Sequence, residues 1–178
     1  KLKEVVILSR HNIRSPLSTN GSALSKMTPH EWTNWSSAAS ELTLRGGVLE
    51  TEMGQFFRKW TIETGLFKDN YVPTIDEVNV YANSMQRCIA TAQYFSGGFM
   101  PVANLRVNHR YVPSKMDPIF FPRLTKSTEA FRTEAMKQIN AMGGKEGLVG
   151  INKSLKESYD LIAKVLDMKQ SEYYKKGE

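Results

Sequence analysis

The stretch VVILSRHNIRSP, residues 5–16, decides how this chain is read. Val5-Val6-Ile7-Leu8 has no polar alternation. Such a run is typical of a parallel strand buried on both faces, and residues Lys3 to Ser9 read as that strand. A strand commonly passes into a turn of Gly, Asn or Asp. This one passes into Arg10, His11 and Arg14, three side chains suited to an anion.

Outward from that point, residues 15–42 are rich in Ser, Thr, Asn and Pro and hold Trp32 and Trp35. They read as a long loop with a short helix near Pro29. Thr43 is placed to cap a helix running to about Thr64, and Leu49, Met53, Phe56 and Trp60 fall on one apolar face of it. Gly65 followed by Leu66 suits a helix stop with its hydrophobic contact. A second strand is expected at Val78 to Ala82, a helix at Ser84 to Phe95, and a third strand at Asn104 to His109. Alternating strand and helix specifies an α/β fold with a parallel sheet. From about Thr125 only helical spacing remains. Phe131, Ala135, Ile139 and Met142 mark one helix, stopped at Gly143-Gly144, and Leu155, Tyr159, Ile162 and Leu166 mark another.

The totals exclude several classes. A chain of 178 residues suits one domain, or one and part of another. Net charge is +6, but Lys and Arg are scattered, and the densest run is Lys175-Lys176. No nucleic-acid patch results, and the charge favours small anionic partners. The run Val5 to Leu8 is too short to span a membrane. No signal peptide precedes the first strand, which is also how an exported chain looks after cleavage. Cys88 is the sole cysteine, which excludes an internal disulfide or a cysteine-rich zinc site.

Ligands of open α/β sheets bind beyond the carboxyl ends of the strands. Two polar clusters fall there: Arg10, His11 and Arg14 after the first strand, and Asn83, Ser84 and Arg87 after the second. Side by side, they would bring three guanidinium groups and an imidazole to one crevice, with a helix amino end adding positive potential. Arginine presents a planar fork that matches phosphate oxygens. Phosphoryl transfer depends mostly on such positioning and charge stabilisation. Neighbouring cations disfavour an imidazolium, so the histidine keeps a lone pair able to attack phosphorus. Its other ring nitrogen would donate to a backbone carbonyl. Taken singly, an Arg-His pair fits solvated surface, and Arg87 fits a helix-surface cation with a carboxylate partner. Their joint placement at strand ends sets a phosphate site level with those plainer readings. Among other candidates, His30-Glu31 fits capping or surface better than an acid pair, and Asp117 before Pro118 fits a loop turn. His109, ending the third strand, is a candidate for the pocket wall. Trp32 and Trp35 suit a lid or sugar platform as well as plain packing.

The seven residues Arg10-His11-Asn12-Ile13-Arg14-Ser15-Pro16 resemble the Arg-His-Gly-x-Arg-x-Pro motif of the histidine acid phosphatases, in the second branch of the histidine phosphatase superfamily. Asn12 stands at the glycine position, which is similar to the bacterial periplasmic glucose-1-phosphatase branch. LSTNGSAL (17–24), ELTLRGGVLETEMGQFFRKW (41–60), VYANSMQRCIATAQYF (80–95) and KMDPIFFP (115–122) are similar to the same branch. The resemblance implies a phosphoglycerate-mutase-like α/β domain, with residues 1–123 as its N-terminal portion and 124–178 as the start of an inserted helical domain. It implies His11 as the nucleophile, Arg10, Arg14 and Arg87 as phosphate ligands, and no metal or other cofactor. The implied reaction is hydrolysis of a phosphomonoester, glucose-1-phosphate or phytate, through phosphohistidine, in the periplasm or outside the cell. The implied partner is that small substrate, with neither nucleic acid nor membrane, and a homodimer is compatible. The family completes its site with a later His-Asp dipeptide, whose Asp protonates the leaving alcohol. None occurs here, since the three histidines precede Asn12, Glu31 and Arg110. The chain therefore reads as the N-terminal half of such an enzyme. A mutase-type transferase with the same nucleophile, or a phosphate-ester binding protein without turnover, are the alternatives.

Overall fold

The computed structural model describes residues 2–18, 22–110, 112, 115–123 and 126–177. Lys1, residues 19–21 of the segment at 17–24, and residues 124–125 beside the expected domain division lie outside them. In chain order the elements are α1 (Ala23–Lys26), α2 (Leu44–Glu63), β1 (Val80–Ala82), α3 (Gln86–Phe99), β2 (Val107–His109), α4 (Glu129–Met142), α5 (Leu148–Ser154), α6 (Lys156–Val165) and α7 (Glu172–Lys176). Two compact units emerge. One comprises Lys1–Leu17 with Asn34–Pro122, and the other Ser18–Thr33 with Arg123–Glu178.

In the first unit, β1 and β2 pair in parallel, Val80 opposite Val107 and Ala82 opposite His109, and α3 makes the crossover between them. Parallel neighbours need such a crossover, because a tight hairpin joins only antiparallel strands. The helix expected after Thr43 is α2. Thr43 sits in extended backbone and its hydroxyl accepts from the Gly46 amide. The helix ends where Gly65 turns to φ 72° and the Leu66 amide returns to the Thr61 carbonyl at 2.9 Å.

The face that α2 buries is not the expected one. Met53 and Phe56 are exposed, and the buried positions are Gly46, Gly47, Glu50, Gly54 and Thr61. Helix α3 packs on this small-residue face at backbone distance. A Cβ on Gly54 would lie 2.3 Å from the Phe95 carbonyl oxygen, and one on Gly98 would lie 2.0 Å from that of Thr51. Contact this close admits no side chain. The aromatic side chains gather beside it: Phe57 and Phe95 have centroids 5.8 Å apart, and Phe95 and Phe99 lie 5.5 Å apart.

The first expected strand is absent. β1–β2 is the only ladder among the described residues, and residues 3–9 pair with nothing there. Val6 and Leu8 are 85% and 86% exposed. A strand is held by its ladder and by packing on its faces, so an apolar run with neither does not become one. The short helix expected near Pro29 forms earlier, as α1.

The second unit is helical among its described residues, as the spacing indicated. Thr128 caps α4 by accepting from the Phe131 amide, and Gly143 ends it. Helices α5 and α6 follow, and Ser171 caps α7 through the Tyr174 amide. Lys26 lies 5.8 Å over the Tyr173 ring.

Candidate active site

Arg10, His11 and Arg14 line one open cleft of about 800 Å³ in the first unit, together with Asn12 and Glu50. The motif is held against the start of α2. Arg14 bridges Leu42, the Ser15 amide donates to the Glu41 carbonyl at 2.9 Å, and the Thr43 amide donates to the Ile13 carbonyl at 3.0 Å. The Thr43 hydroxyl donates to the same Ile13 oxygen at 3.0 Å while it accepts from Gly46. Ser15 is 1% exposed, and its hydroxyl donates to the Ser37 carbonyl at 3.0 Å. Gly46 makes this approach feasible, because a Cβ there would stand 2.3 Å from the Ile13 carbonyl oxygen. The amino end of a 20-residue helix is thereby seated behind the arginine motif, where its partial positive charge adds to theirs.

The His11 Nδ1 lies 2.8 Å from the carbonyl oxygen of Asn12. A carbonyl only accepts, so Nδ1 carries a proton, and the tautomer this selects has its lone pair on Nε2. The ring is half-buried, and Nε2 makes no hydrogen bond with the described residues. Arg14 donates through Nη1 to the Ser15 carbonyl at 2.8 Å. The Asn12 amide donates to the hydroxyl of buried Thr91 on α3 at 3.3 Å, which ties the motif to the second helix as well.

Arg87 does not line the cleft. It is half-buried, and its Nη1 reaches the Ser40 carbonyl at 3.4 Å, while the Ser40 amide donates to the Pro16 carbonyl at 2.8 Å. One residue therefore separates Arg87 from the end of the motif. Its Nε is buried without a hydrogen-bond partner among the described residues.

The other members of the second cluster are structural. The Asn83 Oδ1 accepts from the amides of Ser84 and Asp117 at 2.8 and 2.9 Å, and the Ser84 hydroxyl donates to the Arg110 carbonyl at 2.9 Å. Asp117 is 2% exposed and accepts from the Tyr81 hydroxyl and, at 3.0 Å, from the Ile119 amide. The Tyr81 bond, with the Ile119 amide and the Arg110 charge behind it, holds the Asp117 carboxyl below its ordinary value, and the same bond raises the Tyr81 phenol. Asp117 thus has the loop role that its place before Pro118 suggested. His109 is exposed at the end of β2, and neither it nor Trp35 lines the cleft. His30, Glu31 and Trp32 belong to the second unit, with the His30 ring edge-on to Trp32 at 6.1 Å. Burial raises the Cys88 thiol.

Sequence reasoning missed Glu50. It is 4% exposed, lines the cleft and accepts from Asn12 Nδ2 at 2.9 Å. The available signal was its spacing of four from Gly46 and four before Gly54, which puts it on the glycine face. Among the described residues, no group of three or more His, Cys, Asp or Glu could hold a metal ion, and no helix is long and apolar enough to cross a membrane.

A parallel β–α–β unit with an Arg-His-x-x-Arg loop at its cleft defines a class, and the sequence falls into it. Residues 1–164 match the histidine phosphatase superfamily (branch 2), and the chain belongs to that family. It is 37% identical over 171 residues to the glucose-1-phosphatase of Salmonella typhimurium, which covers 96% of this chain and 40% of that protein. It is 31% identical over 125 residues to the phytase AppA of Escherichia coli, covering 70% of this chain and 29% of that one. The solved phytase of Citrobacter braakii superposes with a TM-score of 0.83 at 29% identity, over 98% of this chain and 42% of that one. The chain therefore spans about two fifths of the length of the Salmonella relative. The fold expected from the sequence, an α/β histidine phosphatase fold, is the one observed.

Proposed function

We propose that this chain carries the phosphate-holding and nucleophilic part of a phosphomonoesterase that works through phosphohistidine. One observation carries the reading: Arg10 and Arg14 share a cleft with a histidine whose Nδ1–H is committed to a carbonyl. The lone pair on Nε2 attacks phosphorus as the bond from phosphorus to the ester oxygen breaks, and the arginines offset the charge of the transferred oxygens. Water then takes the phosphoryl group and restores the imidazole. Arg87 is assigned as the third phosphate ligand. Its unbonded Nε and its long contact to Ser40 support that role, since little holds the guanidinium in place. The leaving alkoxide needs a proton, and the family's His-Asp dipeptide has no counterpart in these residues.

The relatives' names support glucose-1-phosphate or phytate as substrate. The same reading assigns residues 1–123 to the phosphatase domain, residues 124–178 to the start of a helical insertion, and the protein to the periplasm or outside the cell. Chain mixed with phosphoryl donor and quenched in alkali should carry phosphate on His11 by mass spectrometry. Label that survives in His11→Ala would overturn the assignment. The second reading is binding of a phosphate ester without turnover. General acid help is worth about 10² to 10⁴ in rate. The isolated chain should therefore be nearly inactive on glucose-1-phosphate yet retain p-nitrophenyl phosphate cleavage, whose phenolate leaves unprotonated. Phosphate binding with neither label nor cleavage would support the second reading.

A further inference from the structure

We propose that Asn12 and Glu50 are a positioning pair that fixes the tautomer of His11, an inference that rests on His11 being the nucleophile. The Asn12 Nδ2 donates to Glu50 Oε2 at 2.9 Å, and the Asn12 Oδ1 accepts from the Ile13 amide at 2.8 Å. That Ile13 N–H belongs to the same planar peptide unit as the Asn12 carbonyl, which holds His11 Nδ1–H at 2.8 Å. Glu50 therefore sets the carboxamide, the carboxamide sets the peptide plane, and the plane aims the carbonyl that selects the proton position on the imidazole.

The orientation of the carboxamide follows from the partners. A backbone amide only donates, so Oδ1 must face Ile13, and Nδ2 is left to donate to Glu50 Oε2. The reversed amide would set oxygen against oxygen and hydrogen against hydrogen. Two further anchors remove the remaining freedom. The Asn12 amide is held by Thr91 at 3.3 Å, and the Ile13 carbonyl by Thr43 at 3.0 Å. Glu50 and Gly46 lie one helical turn apart on the buried face of α2, so one rigid face touches Asn12 and Ile13 in succession. The family motif has glycine at this position, where no side chain could make the relay. Here a buried carboxylate and a carboxamide supply it.

Long-range ¹H–¹⁵N correlation spectra of the 178-residue chain read the tautomer of His11 without any substrate. The wild-type ring should be the Nδ1–H form. In Asn12→Gly and Glu50→Leu the ratio of Nδ1–H to Nε2–H should fall about fivefold, the equilibrium worth of one net hydrogen bond. Glu50→Gln keeps the volume and offers Asn12 a carbonyl oxygen, so it should restore the wild-type ratio. Its small change in shape makes it the variant to rely on if Glu50→Leu does not fold. A wild-type ring in the Nε2–H form overturns the proposal. So does an unchanged ratio in a folded Asn12→Gly, or a fall in Glu50→Gln as deep as in Glu50→Leu. Phosphate labelling of His11 reads the nucleophile assignment separately. Lost label with an intact tautomer breaks that assignment alone, and label retained with an unresponsive tautomer breaks the pair alone.

Discussion

Val5–Leu8 and Ile13–Pro16 are close in sequence and opposite in structure. The first is the most apolar run of the chain, yet Val6 and Leu8 face solvent. The second is mixed and partly charged, yet it contains Ser15, among the most buried residues described. Partners make the difference. Ile13 and Ser15 receive bonds from, or give them to, Thr43, Glu41 and Ser37, and Asn12 is held by Thr91 and Glu50. No ladder meets residues 5–8 among the described residues. In this chain, burial follows the available bonding and close backbone contact more than hydropathy. The site is built on the region where those contacts are dense.

The strongest way to break the comparison is Gly46→Val. The new side chain must displace the Ile13 carbonyl, a backbone atom that cannot swing aside. Overpacking of this kind costs about 3 kcal/mol or more. The denaturation midpoint should fall accordingly, and the motif should separate from α2. A variant as stable as the parent would show that Ile13 is not pressed against the helix in solution. Thr43→Val is expected to come next, at about 1 to 2 kcal/mol, since it removes the helix cap and the hydroxyl bond to Ile13 while keeping the shape. An equal loss from Ser154→Ala, an exposed hydroxyl bonded only to the Ile151 carbonyl one turn back, would mean that hydroxyls matter indiscriminately, and the special standing of the motif would go.

A smaller effect is expected from pH, because protonating Asp117 weakens its bonds from Tyr81 and Ile119 but leaves the Asn83 contacts in place. The Asp117 carboxyl is lowered in the folded chain. Its contribution is therefore present above the ordinary aspartate value and lost as pH falls through the folded one. Tyr81 is raised, so its contribution is present below the ordinary tyrosine value and lost as pH climbs through the folded one. Melting curves from neutral to acid pH should show the first loss, and Asp117→Asn should flatten it. An acid slope that is the same in Asp117→Asn would place the titration elsewhere.

Local signals explain what the sequence made legible. Thr43, Gly65 and Gly143 bound helices because caps and stops act on adjacent residues, and each stands where it was read. The Arg10–His11–Arg14 loop was legible because two guanidinium groups and an imidazole follow directly on an apolar run. The buried face of α2 was not legible from hydropathy. Its contact is backbone to backbone, so glycine and a buried carboxylate mark it while Met53 and Phe56 do not. The strand at residues 3–9 was misread because its pattern reports the neighbours such a run requires, and pattern alone cannot supply them. Arg87 was expected at the site from its strand end; its side chain reaches Ser40, which bonds the end of the motif, and spacing does not record that choice of rotamer.

The smallest effect is the one that tests the exposed run itself. Val6→Thr with Leu8→Thr removes two apolar side chains that are 85% and 86% exposed. Surface substitutions away from caps, cores and buried polar groups usually fall within about 0.5 kcal/mol. Threonine keeps the branching that suits extended backbone, so local propensity is nearly unchanged. The double variant should melt with the parent and stay in solution at higher concentration, because an uncovered aliphatic run invites self-association. Leu42→Ala is the matched control. Leu42 is buried beside the motif and pairs across to Arg14, and its truncation should cost about 2 to 3 kcal/mol. If the threonine pair costs as much as Leu42→Ala, then residues 5–8 are covered in solution after all, and the contrast between the two regions disappears. If it costs nothing while Leu42→Ala is expensive, the apolar run contributes nothing to holding this chain together, and the bonded motif carries the stability on which the site depends.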